Sequence, residues 1–217
     1  MSSVISDQQL DLNRSLHAND TQFGSRPDAG GLTARLHKAI MKMHESGICS
    51  SVVDYGTGKG SLVSRLCEQL PNSISVQGYD PAVKKYKNKP SNPVDILTCI
   101  DVLEHVELSS VDTVLHDIDS LTDKFCLLMI DLQPSVKKMA DGRNAHIMLA
   151  PYDWWINRVS TIFPHFASFV IPHKSGFDQK LVIVATRKRE LCPLMYIFLI
   201  KLNIFDTTMV GGLVKGK

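Results

Sequence analysis

Residues 52–60, Val-Val-Asp-Tyr-Gly-Thr-Gly-Lys-Gly, constrain this chain more than any other stretch, because an acidic residue and three closely spaced glycines end an apolar run. Val52 and Val53 continue a short strand-like segment. From Ser61 to Leu70, the side chains Leu62, Leu66, Cys67 and Leu70 recur at helical spacing. The loop therefore joins a strand to a helix, the repeating unit of an α/β sheet. In an open sheet of this kind, ligands bind at the carboxyl ends of the strands, and glycines let the backbone approach without a Cβ in the way.

The glycine spacing discriminates between ligands. Gly56, Gly58 and Gly60 read G-x-G-x-G, whereas a dinucleotide fingerprint needs G-x-G-x-x-G/A and would place its third small residue at Ser61. Asp54, two residues before the first glycine, suits a cationic amine, accepting from it directly or through water. S-adenosylmethionine carries such an ammonium; a pyrophosphate does not. An ordinary glycine-rich connection is the competing reading of this motif taken alone. Two further segments weigh against it. Ser73–Tyr79 alternates like a strand and ends on Asp80, 20 residues past Gly60, the usual place for a carboxylate that takes both ribose hydroxyls. Val94–Ile100 is another apolar run, around Asp95, and leads into Asp101-Val-Leu-Glu-His-Val106.

With these three motifs in order, the chain resembles the class I S-adenosylmethionine-dependent methyltransferases. The resemblance spans about residues 24–188. Asp54-Tyr-Gly-Thr-Gly-Lys-Gly-Ser-Leu62, Gly78-Tyr-Asp-Pro-Ala-Val83 and Asp141-Gly-Arg-Asn-Ala-His146 are similar to a small subgroup of bacterial and viral type. It implies a doubly wound, mostly parallel Rossmann-like sheet with an antiparallel last strand. It also implies S-adenosylmethionine held around Asp54, Gly56, Thr57, Gly58, Gly60, Asp80, Pro81, Cys99 and Asp101. One departure matters: only 15 residues separate Asp80 from Asp95, too few for the additional strand and acidic adenine-contact loop that usually intervene. The third strand is expected to be minimal or absent, with adenine left to backbone groups near Cys99 and to packing on Pro81. Arg26 is a weaker candidate for the cofactor carboxylate.

At 217 residues, with 44% apolar and 21% charged side chains, the chain can bury one sizeable core and needs no second domain. The reading divides it into a flexible segment 1–30, a cofactor-binding domain 31–188 and an apolar, basic extension 189–217. Helices are expected from Leu32 through Met43, over Val111–Leu121 and over 151–163 entered through Pro151. Strands are expected at Phe125–Ile130, Phe166–Ile171 and Leu181–Thr186, the last two joined by a turn at Ser175-Gly176. The formal charge is only +2, and residues 187–217 carry six Lys/Arg against two Asp/Glu, so the basicity belongs to the tail. No large basic excess is available to track a nucleic-acid backbone, and no Asn/Asp-Pro-Pro-Tyr/Phe segment follows the Val94–Ile100 run to hold a flipped base. The five cysteines are widely spaced, with no C-x-x-C pair and no zinc-type cluster, so buried free thiols and no metal are expected. Met1–Gly24 is polar rather than signal-like, which makes a reducing cytoplasm the expected compartment. Leu191–Ile200 is apolar almost throughout but short for a membrane span. It must be buried on its own domain, in a homodimer partner, or at a membrane surface, with contact through residues 191–205.

Methyl transfer asks the protein mainly to hold a nucleophile in line with the sulfonium, and to supply a base only if the acceptor must lose a proton. His105, His146 and Asp101 are the catalytic candidates, backed by Asp131 and Asp141; a backbone-bonded histidine is the plain alternative for His105. Arg143, Asn144 and Trp155 are candidates for the acceptor side. Against them stand a solvated turn on Asp141-Gly142 and core packing of the adjacent Trp154 and Trp155, which point about 100° apart on a helix. The functional expectation is methyl transfer to an oxygen or nitrogen of a small or medium-sized acceptor. Its alternative is a catalytically silent cofactor-binding partner subunit.

Overall fold

The computed structural model describes residues 4–25, 32–172 and 178–202. Six strands form one sheet in the order β2-β1-β3-β4-β6-β5: β1 (Ser51–Tyr55), β2 (Ser75–Tyr79), β3 (Val94–Ile100), β4 (Thr122–Asp131), β5 (His165–Pro172) and β6 (Asp178–Thr186). The pairs β1/β2, β1/β3 and β3/β4 are parallel, and β6 runs antiparallel to both β4 and β5. This is the expected mostly parallel sheet with a closing antiparallel hairpin. Ser175 and Gly176, where its turn was expected, lie outside the described residues. From β1 the chain winds outward to β2 and then crosses to β3 on the other side. The reversal opens a crevice beyond the carboxyl ends of β1 and β3, the binding position of open α/β sheets.

Each strand of the centre serves two cores, as its alternating side chains dictate. Leu97 and Cys99 of β3, and Leu181, Ile183 and Ala185 of β6, face one cluster with Val114, Ile118, Trp155 and Val159. These last four belong to α4 (Val111–Leu121) and α5 (Tyr152–Ile162), the latter entered through Pro151. Ile96, Ile100, Val182 and Val184 face the opposite cluster with Leu36, Ile40, Met43, Leu62 and Leu66. Those residues lie on α2 (Leu36–Glu45) and α3 (Ser61–Gln69). Gly30 and Gly31, expected to open α2, lie outside the described residues; a 3₁₀ turn at Leu32–Arg35 leads into it instead.

Between β2 and β3 the chain forms only a 3₁₀ turn, Lys84–Tyr86, so the third strand is absent as its spacing implied. Tyr86 folds back instead. Its carbonyl accepts from Asp80 N–H at 2.8 Å, and its ring lies so close to Gly60 that a Cβ there would meet Oη at 2.0 Å.

Within residues 1–30, read from sequence as a flexible segment, the described part contains a helix. Asp7–Asn19 form α1, with Ser6 as N-cap accepting from Gln9 N–H. α1 buries only Gln9, Leu10 and Leu16, which is why no strong apolar period announced it. At the other end, α6 (Cys192–Leu202) buries Met195, Phe198, Leu199 and Leu202 within the chain's own second cluster, against α2. Phe198 stacks on Phe125 at 6.0 Å between ring centroids. The apolar tail through Leu202 is thus packed intramolecularly, while residues 203–205 of the expected contact segment lie outside the described residues. No helix among the described residues is long and apolar enough to cross a membrane.

Candidate functional site

A cavity of about 250 Å³ opens at the switch point. Its wall includes Gly56, Gly58, Asp80, Pro81 and Ala82 on one side and Asp101, Val102, His105 and His146 on the other. Residues of α1 and the turn after it, His17, Phe23 and Gly24, close it from above. The glycine loop is held by geometry that only glycine tolerates. Gly56 and Gly58 have φ of +72° and +55°, and a Cβ at Gly58 would stand 2.4 Å from the Gly24 carbonyl oxygen. At Gly56 a Cβ would meet Val102 Cγ2 at 2.4 Å, so the loops after β1 and β3 touch there.

Every backbone amide from Gly56 to Gly60 is already bonded. Gly56 and Thr57 donate to the Tyr79 carbonyl, Lys59 donates to Gly24, and Gly60 donates to Thr57. Gly58 donates to Asp80 Oδ2 at 2.9 Å. Ala82 N–H donates to the other oxygen, Oδ1, also at 2.9 Å. The Asp80 carboxylate is thereby fixed at the tip of β2 facing the cavity, with His17 Nε2 3.9 Å from Oδ2. Burial holds the His17 imidazole below its ordinary pKa although the Asp80 charge pulls the other way.

Asp54 takes a different part from the one expected. It is fully buried beneath the loop, its Oδ1 accepts from Thr98 Oγ1 at 2.9 Å, and it does not reach the cavity wall. Asp54 thus supports the loop through Thr98 and is not among the residues that line the cavity. Cys99 is likewise a fully buried β3 residue paired in register with Tyr55, and its side chain packs in the core. Thr57 and Gly60 sit behind the wall, Thr57 buried and Gly60 under Tyr86.

Asp101 does line the cavity, at φ +52°, the one positive φ among described non-glycine residues. Its Oδ1 accepts from Lys180 Nζ at 2.7 Å, and Asp131 Oδ2 accepts from the same ammonium at 3.1 Å. Burial alone would lower the Lys180 pKa; the Asp101 and Asp131 carboxylates outweigh it and raise it. Glu104, fully buried next to this group, accepts from Asp131 N–H at 3.0 Å through Oε1. Burial, and then the charge of Asp101, push its carboxyl above the ordinary range.

The two histidines converge although 41 residues separate them. Leu103–His105 is a 3₁₀ turn rather than the start of an α-helix, and His105 Nδ1 donates to the Ala145 carbonyl at 2.7 Å. His146 Nδ1 donates to the Gln133 carbonyl at 2.5 Å, and the rings meet edge-on with centroids 4.9 Å apart. A carbonyl only accepts, so each Nδ1 carries a proton, and in the neutral ring this tautomer puts the lone pair on Nε2. Burial, and then the neighbouring His146, lower the His105 pKa to about 4, which makes it a weak base at neutral pH. One ligating atom from each of Glu104, His105 and His146 lies within 4.8 Å of the others. This grouping has the residue types of a metal site and joins His146 to Glu104 and His105 across a distance in sequence that no short-range spacing reveals.

The acceptor-side candidates do not gather at the cavity. Residues 137–145 form a small hairpin in which Met139 N–H donates to the Arg143 carbonyl and Ala145 N–H to the Lys137 carbonyl. Arg143 Nε pairs with Asp141 Oδ2 at 2.7 Å across the Asp141-Gly142 turn, away from the cavity wall. Asn144 is a staple: Oδ1 accepts from Ser135 N–H and His146 N–H, and Nδ2 donates to the Ser135 carbonyl. It therefore positions His146. Trp155 is fully buried in the core, whereas Trp154 carries the Arg158 guanidinium 3.8 Å above its ring. Lys137, Ser135, His17 and Phe23 line the cavity instead, and Lys180 tethers Asp101. Of these, Lys137 lies in the loop that carries the sequence candidates Asp131, Asp141 and His146; the other four had no signal. Arg26 lies outside the described residues.

No protein-family model matches the sequence, and no curated protein matches it. In fold, the chain is similar to solved methyltransferases. Magnesium protoporphyrin IX methyltransferase from Synechocystis PCC 6803 with bound SAH is 16% identical over 83% of this chain and 100% of that one, with a TM-score of 0.55. Burkholderia thailandensis 1,6-didemethyltoxoflavin-N1-methyltransferase, with its acceptor and S-adenosylhomocysteine bound, is 15% identical over 82% and 86% of the two chains, with a TM-score of 0.52. A DhpI–SAH complex is 13% identical over 87% and 100%, with a TM-score of 0.52. The chain has the Rossmann-like fold of the class I methyltransferases.

Proposed function

We propose that this chain binds S-adenosylmethionine and transfers its methyl group to an oxygen or nitrogen of a small or medium-sized acceptor. The observation that carries the reading is the state of the glycine loop. All five of its amides, from Gly56 to Gly60, are spent within the protein. None is left to cradle a pyrophosphate, and the Asp80 carboxylate beside them would repel one. The same carboxylate suits a ribose: two backbone amides fix its orientation while its remaining lone pairs face the cavity to accept from two hydroxyls.

From Asp80 the cofactor would extend across Gly56 and Gly58 toward Asp101, all of which line the cavity. Pro81, Ala82 and Val102 offer apolar surface to the adenine in place of the missing strand and its loop. The methyl group would then point toward His105 and His146, whose Nε2 lone pairs suit an acceptor that must lose a proton or be held by a cation. The cofactor supplies the reactive methyl; the protein supplies alignment and exclusion of water.

The cavity volume falls below the roughly 300–1,000 Å³ of small-molecule sites. The segment that covers the cavity is fastened to the rest of the chain at both ends. Ser6 holds Glu107 through exposed bonds, and Asp20 holds Lys137 at 2.6 Å while its carbonyl accepts from Lys59 Nζ.

The test is formation of S-adenosylhomocysteine from S-adenosylmethionine in the presence of a panel of small hydroxyl and amine acceptors. Product that appears with an acceptor and disappears in Asp80→Asn supports the proposal. Tight cofactor binding with no product from any acceptor would favour the silent-partner alternative.

A further inference from the structure

The geometry points to a divalent transition-metal site formed by Glu104, His105 and His146, whose cation holds an oxygen of the acceptor beside the methyl donor. The second half of this statement rests on the methyl-transfer reading; the metal site stands on its own observations.

Three features carry the site. The ligating atoms of the three residues already lie within 4.8 Å of one another. A cation bound 2.0–2.2 Å from each ligand needs ligand atoms about 3–4 Å apart, a closure that small side-chain rotations supply. Next, both imidazoles are oriented as metal ligands are. Nδ1–H is tied to a backbone carbonyl, Ala145 for His105 and Gln133 for His146, which fixes the tautomer and leaves Nε2 free to coordinate. Last, Glu104 is wholly buried, and while Oε1 accepts from Asp131 N–H, Oε2 has no hydrogen-bond partner among the described residues. A buried carboxylate oxygen without a partner is costly, and a cation on that oxygen removes the cost.

Charge agrees with this count. Asp101, Glu104 and Asp131 surround a single ammonium, Lys180, at 2.7 Å from Asp101 and 3.1 Å from Asp131. With neutral histidines, ionisation of all three carboxyls would leave an excess of two negative charges beside one ammonium, and a dication at Glu104 would stabilise the ionised form that burial disfavours. Two imidazoles and one carboxylate favour Mn²⁺, Fe²⁺, Co²⁺ or Zn²⁺ over Mg²⁺ or Ca²⁺, which prefer all-oxygen shells. Three protein ligands leave coordination positions open, and His105 and His146 both line the cavity, so the open side faces the acceptor.

An acceptor hydroxyl bound to such a cation becomes more acidic. Its proton passes to solvent, an oxygen lone pair forms the new C–O bond, and the C–S bond electrons return to sulfur. The products are the methyl ether, S-adenosylhomocysteine and one proton. His105 and His146 act as ligands in this scheme, so no histidine serves as base.

The experiment is titration of the EDTA-treated, dialysed full chain with Co²⁺, followed by its visible ligand-field absorbance and by calorimetry, with S-adenosylmethionine affinity measured on the same samples. The site predicts one Co²⁺ per chain, with affinity weakened roughly 100-fold or more in Glu104→Gln and in His146→Gln. The exposed His116→Ala, away from the site, should bind like the parent. Thermal melts of each variant identify any that fail to fold, and the nearly isosteric Glu104→Gln protects against that failure. Absence of stoichiometric Co²⁺ binding, or binding undiminished in both folded ligand variants, overturns the site. If Co²⁺ is absent while S-adenosylmethionine binds, the metal site fails and the methyl-transfer reading stands. Co²⁺ bound without S-adenosylmethionine upholds the site and overturns that reading.

Discussion

Replacing Gly58 by Ala tests whether the glycine loop and the N-terminal cover are one mechanical unit. Gly47 supplies the control, because it too has a left-handed backbone, φ +74°, yet a Cβ there meets nothing within 4 Å. Gly47→Ala should therefore cost only the backbone term, about 1–2 kcal/mol. Gly58→Ala incurs the same term at φ +55° and in addition drives a Cβ to 2.4 Å from the Gly24 carbonyl oxygen and 2.7 Å from Gly24 Cα. Backbone cannot yield as a side-chain tip can, so Gly24 must move away and release the 2.8 Å bond from Lys59 N–H to its carbonyl. That loss adds about 0.5–1.5 kcal/mol, for a total of about 1.5–3.5 kcal/mol. Urea unfolding of the two variants measures the difference, and hydrogen exchange across residues 7–25 locates it. Gly58→Ala should unfold at lower urea than Gly47→Ala and lose protection in α1. Equal stability of the two, with α1 still protected, would refute the coupling.

Three further outcomes follow from single contacts. Asp80→Asn cannot accept on both oxygens, so it should weaken S-adenosylmethionine binding by about 3 kcal/mol, roughly 100-fold, with the fold retained; calorimetric titration reads this. Burial would raise the Asp95 pKa, but Lys124 at 2.9 Å and the Ser50 amide and hydroxyl outweigh it and hold the carboxyl below its ordinary value. A depressed folded pKa means that this stabilisation is full above the unfolded carboxylate value, about 3.9, and is lost as pH falls through the lower folded one. Asp95→Asn should cost about 2–3 kcal/mol at pH 7 in denaturant melts, with the gap from the parent closing in that acid range. Arg143→Ala removes only an exposed pair with Asp141 and should change stability by less than about 0.5 kcal/mol and cofactor affinity not at all.

What could be read from the sequence was whatever depends on local period and short spacing. Near-continuous apolar runs in Val94–Ile100 and Leu181–Thr186 marked strands packed on both faces, and the 15-residue step from Asp80 to Asp95 foretold the missing strand. Asp80, Pro81, Gly56, Gly58, Asp101, His105 and His146 do share one cavity, because each ends or follows a strand at the same edge of the sheet. Depth was not legible. Asp54 looked like a ligand contact but lies beneath the loop against Thr98, since the same position in sequence serves either side of a tight turn. Trp154 and Trp155 pointed apart, and only tertiary packing chose Trp155 for the core. Long-range partners were equally hidden: Lys180 reaches Asp101 from β6, and α1 returns His17 to Asp80 across the whole glycine loop.

The crevice beside Asp80 is proposed to take a sulfonium nucleoside rather than a dinucleotide. Parallel calorimetric titrations of the full chain with S-adenosylmethionine, S-adenosylhomocysteine and NAD test it most directly. Saturable one-to-one binding of the first two and none of NAD is expected. Binding of NAD, or failure of both sulfur nucleosides to bind, would contradict it.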